Sequence, residues 1–114
     1  NQALRHFQQA VMIDPSYYKS LSNLGAVLIS QNKAVQAIAY LEKAVELKPD
    51  FVNAHINLGL AHAQVGRLSD SMQHIKEALR LSPNNPKAKR ALHSLMSAHN
   101  NLSPIEAEKT ESNR

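Results

Sequence analysis

Histidine is the side chain with the widest chemical repertoire in this chain, which has six histidines and no cysteine. His55 and His62 would lie two turns apart on a helix, and they could therefore share one face. A zinc site needs three or four converging ligands, and no adjacent carboxylate or cysteine completes a set with this pair. We therefore predict semi-buried core histidines, with no metal and no other cofactor.

The sequence also lacks a complete set of catalytic residues in a recognisable arrangement. Serine, histidine and aspartate all occur, but not in the strand–turn–helix context that exposes a nucleophile. No glycine-rich loop that could cradle a phosphate is present. The sequence therefore predicts no catalytic residue and no enzyme activity. The lack of cysteine fits reducing and oxidising compartments alike, so the cytoplasm is expected only by default.

The charge balance favours an acidic partner. The net charge is +4, from 13 basic and 9 acidic residues. Glu106, Glu108 and Glu111 all lie near the end, so the rest of the chain is more basic than the whole. Nucleic-acid binding would call for clustered Lys and Arg with stacking aromatics, and aromatic residues make up only 4%. No apolar run reaches the ~18 residues expected of a membrane span.

A period of 34 residues organises the elements that must position these side chains. The motif Asn-Leu-Gly at residues 23–25 returns at residues 57–59, and residues 52–85 repeat the pattern of residues 18–51. A period of this length is typical of helix–turn–helix units that stack into a solenoid. A fold of one repeated helical unit is therefore predicted.

Apolar spacing and helix-breaking residues predict the helices themselves. Ser16 and Ser69 are predicted N-caps, Gly66 a sharp turn, and Asn85-Pro86 a helix start. The predicted helices cover residues 1–14, 17–31, 34–47, 50 or 51 to 65, 69 to about 81, and 86 to about 99. Residues 101–114 form a polar tail, in which residues 104–109 are predicted as a possible short helix.

The two units resemble the tetratricopeptide repeat (TPR) family. The first carries Leu21, Leu24-Gly25, Leu28, Ala37, Leu41, Ala44 and Pro49, and the second carries His55, Leu58-Gly59, His62, Ser71, Ile75, Ala78 and Pro83. In this pattern Gly25 and Gly59 are expected to let the two helices of a unit approach closely.

The resemblance implies an all-α solenoid of antiparallel helix pairs over residues 1–100. Residues 1–15 would be the second helix of a truncated repeat, residues 18–51 and 52–85 full repeats, and residues 86–99 a cap helix. His93 stands where the next unit would need glycine, which favours a cap there. Because the chain begins in the middle of a unit, we expect it to be a fragment of a longer protein.

The resemblance also implies a concave groove lined by the first helix of each unit. By helical phase, Ser22, Ala26, Ser30, Ser94 and Ser97 would face it. The residues expected to bind a peptide there are Lys19, Asn23, Asn53, Ile56, Asn57, Leu60, Gln64, Lys87 and Arg90.

Two binding modes known in the family bear on this surface. Asn23 and Asn57 resemble the asparagine ladder of the O-GlcNAc transferase type, in which amides hold a peptide backbone. They could equally bond to their own local backbone or face water. A carboxylate clamp would need Lys and Asn on the leading helix, where Ser22 and Ala26 stand, and this argues against it. Lys87 and Arg90 could still pair with an acidic side chain, or form a solvated basic face at the end of the array.

The function predicted from these features is a protein-interaction module that binds an extended peptide or a helix of a partner protein, and the basic charge favours an acidic partner. Two alternatives stay open. The repeats could be the substrate-selecting or regulatory segment of a larger enzyme such as a glycosyltransferase. They could also mediate self-assembly, because residues 1–14 lack a partner helix and their exposed face could pair with another copy.

Overall fold

The computed structural model describes residues 5, 6, 9, 14 and 17–100. Arg5, His6 and Gln9 are helical. Apart from these three residues and Asp14, the predicted helix 1–14 and its exposed face lie outside the described residues. The tail 101–114, with its predicted short helix, also lies outside them.

Residues 17–100 form five helices. They are α1 (Tyr18–Ser30), α2 (Ala34–Leu47), α3 (Val52–Gln64), α4 (Leu68–Leu81) and α5 (Pro86–Asn100). Residues 17–100 contain no strand, so the predicted all-α class is confirmed. The predicted helix over residues 34–47 has the same bounds in the structure, and the helix ends predicted at residues 81 and 86 also agree. The other predicted ends within residues 17–100 differ by one or two residues.

Short turns set the direction of each helix. Gly66 has a φ of 83°, as expected for a sharp turn, and Asn32 takes the same left-handed region in the first repeat with a φ of 60°. The predicted cap residue before Pro86 is present. The Oδ1 atom of Asn85 accepts a hydrogen bond from the backbone amide of Ala88 at 3.1 Å.

The predicted cap at Ser69 is wrong. Arg67 is the N-cap residue of α4, and its side chain makes no capping hydrogen bond. The cause is the turn itself: with Gly66 left-handed, the amide of Arg67 donates to the carbonyl of His62 at 2.8 Å, so the chain reverses early. Ser69 therefore lies within the first turn of α4.

The helices pack in two layers. Helix α1 packs on α2, α3 packs on α4, and α2 packs on α3, which joins the two repeats. Helices α1 and α3 also touch each other, as do α3 and α5. The alternate helices α1, α3 and α5 therefore line one side of the array, where the groove is predicted.

Glycine allows the closest approach within each pair. A Cβ on Gly25 would lie 2.5 Å from the side chain of Leu41, and one on Gly59 would lie 2.5 Å from Ile75. Leu41 and Ile75 are fully buried. Ser71 adds a hydrogen bond at the second crossing, where its hydroxyl donates to the carbonyl of Gly59 at 2.5 Å. The close approach expected from the sequence is thus present in both repeats.

Candidate binding groove

The predicted groove residues fall into two groups in the structure. Ile56, Asn57, Leu60, Lys87 and Arg90 line one cleft between α3 and α5. The others lie outside that cleft and are exposed, namely Lys19, Asn23, Asn53 and Gln64. The structure therefore concentrates the predicted site at the second repeat and the cap helix.

This α3–α5 cleft has a volume of about 740 Å³, within the usual range of ligand pockets. Ile75 of α4 contributes to its lining. Sequence reasoning missed Leu95 and Ala98, which also line it. Their spacing from Ala91 could have predicted them, because residues three and four apart lie on the same face of a helix.

The cleft combines apolar walls with positive charge. Leu60 is 43% exposed within it, although it is a large apolar side chain. Lys87 and Arg90 are exposed on α5. No acidic side chain is among the described residues that line the cleft. An apolar surface beside uncompensated positive charge is suited to a ligand that is apolar and acidic at once.

Asn57 has a structural role that the sequence did not predict. It is half-buried, and its Nδ2 donates to the hydroxyl of Ser22 at 3.1 Å and to the carbonyl of Ser22 at 3.4 Å. Gln64 makes a parallel contact, because its Nε2 donates to the carbonyl of Ile29 at 3.0 Å. These two amides tie α3 to α1, and Ser22 is buried beneath Asn57 rather than open to the groove.

The predicted asparagine ladder of Asn23 and Asn57 does not continue into the cap helix. Asn23 is exposed and Asn57 is tied to Ser22. The position one period after Asn57 is Ala91, which is buried in the wall of the cleft.

The histidines gather away from the cleft. His55 and His62 are buried, at 8% and 6% exposure, and His74 of α4 contacts both rings. Sequence reasoning missed His74, which occupies no motif position. The described residues hold no group of three or more His, Cys, Asp or Glu that could bind a metal ion. None of the described helices is long and apolar enough to cross a membrane.

The fold and the repeated glycine crossings define an α-solenoid of stacked helix pairs. Residues 25–66 match the sequence model of the TPR repeat, and residues 52–85 match that of the tetratricopeptide repeat. The chain therefore contains tetratricopeptide repeats, as its motifs indicated.

Solved structures share this fold. The first TPR domain of human RPAP3 is 22% identical, with 84% of this chain and 76% of that chain covered and a TM-score of 0.79. The TPR domain of Arabidopsis OM64 is 24% identical, with coverages of 83% and 78% and a TM-score of 0.79. The first TPR of Spaghetti (RPAP3), bound to the HSP90 peptide SRMEEVD, is 21% identical, with coverages of 83% and 75% and a TM-score of 0.78. No curated protein matches the chain significantly.

Proposed function

We propose that this chain is a protein-interaction module that binds a peptide segment of a partner along α1, α3 and α5. The α3–α5 cleft is the observation that carries the proposal, because it places the exposed Leu60 beside Lys87 and Arg90. The favoured ligand is a segment with an aliphatic side chain next to acidic residues. The acidic peptide in the Spaghetti structure, a distant relative in fold, is of this chemical type.

The groove is preorganised for such binding. The hydrogen bonds from Asn57 and Gln64 to α1 hold α3 in place before any ligand arrives. The groove therefore loses little conformational entropy on binding, and more of the contact energy becomes affinity. Burial of Leu60 against a ligand contributes roughly 25 cal/mol per Å² of apolar area removed from water.

Leu60→Asp is expected to weaken peptide binding at least about tenfold, since it places a charge in the apolar part of the cleft and repels an acidic ligand. The probe is a panel of fluorescent synthetic peptides that combine leucine or isoleucine with Glu and Asp, measured by anisotropy. Val35→Asp is the matched control, because Val35 is 67% exposed on α2, outside this cleft. Equal affinities for wild type and Leu60→Asp, or no binding by wild type, would contradict the proposal.

A finer version of the proposal gives Asn23 and Asn57 the role of a ladder on the peptide backbone. Asn23→Ala combined with Asn57→Ala is then expected to weaken binding about tenfold, with the helical circular dichroism signal unchanged. Ser22→Ala is the control, because it removes a partner of the Asn57 amide and leaves the amide itself. Unchanged affinity in the double variant would reject the ladder. Equal losses in the double variant and in Ser22→Ala would assign Asn57 to repeat packing instead.

A further inference from the structure

Three histidine rings form a cluster where α3 packs on α4. The ring of His74 lies parallel to that of His62, with an interplanar angle of 5° and ring centroids 5.5 Å apart. The ring of His55 is 5.9 Å from that of His74. His55 and His62 are buried, and the carbonyl of Pro49 accepts a hydrogen bond from Nε2 of His55 at 2.7 Å. The cluster thus joins both helices of the second repeat and the turn before it.

The two buried rings each lack an acceptor for a second N–H among the described residues. An imidazolium carries a hydrogen on both nitrogens, so both must find acceptors. Nδ1 of His55 and Nδ1 of His62 are buried, and neither has a hydrogen-bond partner in the described part of the chain. A proton added to either ring would therefore leave a buried, charged N–H without an acceptor, and this is unfavourable.

The charged groups around the cluster compensate little. Glu42 of α2 and Asp70 of α4 act on His74, and both are exposed. Glu77 of α4 also interacts with His55 and His74, but it is already paired with Arg80 at 2.6 Å. A charge on His74 would also lie 5.5 Å from one on His62 and 5.9 Å from one on His55, measured between ring centroids, and this adds repulsion.

We propose that His55, His62 and His74 form an acid-sensitive junction that loosens the packing of α3 on α4 as the pH falls from neutral to mildly acidic. The junction lies within the second repeat, where the same two helices also meet at the close contact of Gly59 with Ile75 and at the hydrogen bond from Ser71 to Gly59.

The titration of His74 agrees in sign with this geometry. Burial, followed by the nearby His62 and His55, lowers the pKa of His74 below its ordinary value. In the unfolded chain that pKa returns to about 6.5. Between the folded and unfolded pKa values the unfolded chain binds a proton that the folded chain rejects, so stability is complete above about pH 6.5 and declines as the pH falls towards the folded pKa.

The direct test is urea unfolding of the whole chain at about pH 7.5 and about pH 5.5, followed by circular dichroism. In the acid range the unfolding constant of the wild type should rise by up to about tenfold per pH unit for each proton excluded. His74→Phe keeps an aromatic ring and cannot titrate, so it should show a smaller rise. The control is His93→Gln with His99→Gln, which removes two exposed histidines of α5 and should keep the wild-type pH dependence.

A second measurement does not depend on how the variants fold. Nitrogen-15 NMR of the wild-type imidazoles should show that His74 gains its second proton at a lower pH than a free imidazole does. The proposal is overturned if His74 titrates like a free imidazole, or if wild type and His74→Phe share one pH dependence. No ligand is used, so a failure of peptide binding at neutral pH would count against the groove and leave this junction intact.

Discussion

Gly59→Val is expected to lower the free energy of unfolding by about 3 kcal/mol, the upper end of the usual penalty for overpacking. The first added carbon would lie 2.5 Å from Cδ1 and 2.7 Å from Cγ1 of Ile75, which is fully buried. It would also lie 3.2 Å from the backbone carbonyl of Ser71, which a side-chain rotation cannot move. Helix α4 must therefore shift, and the hydrogen bond from Ser71 to the carbonyl of Gly59 is strained with it.

Urea denaturation measures this loss, with Ala39→Val on α2 as the control. Ala39 is exposed, so its replacement reports only the cost of a β-branched residue in a helix. A loss no larger than that of the control would show that the α3–α4 crossing is looser than described.

A double-mutant cycle identifies the atoms responsible. Ile75→Ala alone should cost about 2–5 kcal/mol through the cavity it leaves. Combined with Gly59→Ala, it removes the two side-chain carbons that the new methyl group meets. The combined loss should therefore be smaller than the sum of the single losses. Strict additivity would mean that Ile75 is not what excludes a side chain at position 59.

The repeat period predicts this crossing well, because it depends on residues inside one unit. Leu24 and Leu58 are both fully buried, one period apart, and Gly25 and Gly59 meet Leu41 and Ile75 in equivalent ways. The size of these side chains and the helical spacing are enough to specify such contacts.

Contacts between units were less predictable. The Asn57 side chain reaches Ser22 across 35 positions, and this contact depends on the rotation of one repeat against the next. The sequence motif does not state that rotation, so Ser22 was expected in the groove and is buried instead. His74 was missed for a different reason: it lies in the same repeat as His55 and His62 but occupies no motif position, so the repeat pattern gives no contact for it. The Ser69 cap failed because Gly66 reversed the chain earlier than the serine alone indicated.

The chemistry of the candidate site could be predicted better than its extent. Lys87, Arg90 and Leu60 were chosen by helical phase, and all three line the α3–α5 cleft. Lys19 and Asn23 were chosen by the same phase on α1, but they lie outside this cleft. Helix α3 lies across from α1 as α5 lies across from α3. The difference is that Asn57 and Gln64 bond α3 directly to α1.

Lys87→Glu combined with Arg90→Glu is expected to reduce affinity for an acidic, leucine-containing peptide by about 100-fold or more. Attraction at the cleft becomes repulsion, and each 1.4 kcal/mol lost is a factor of about ten. The same variant should bind the lysine-substituted version of that peptide more tightly than wild type does. Wild-type binding of the acidic peptide should also weaken as salt is added, since these cations are exposed and screened within about 10 Å at 0.1 M ionic strength.

The control for this reversal changes net charge by the same amount elsewhere. Lys33→Glu with Lys89→Glu brings the formal charge from +4 to 0, as the cleft variant does, and neither residue lines the α3–α5 cleft. Long-range attraction alone would weaken the acidic peptide equally in both variants and give neither a preference for the basic one. A loss confined to the cleft variant, with the preference reversed, requires the ligand's charge to lie next to Lys87 and Arg90. Equal losses would mean that the basic character of the whole chain, rather than the wall of α5, selects the partner.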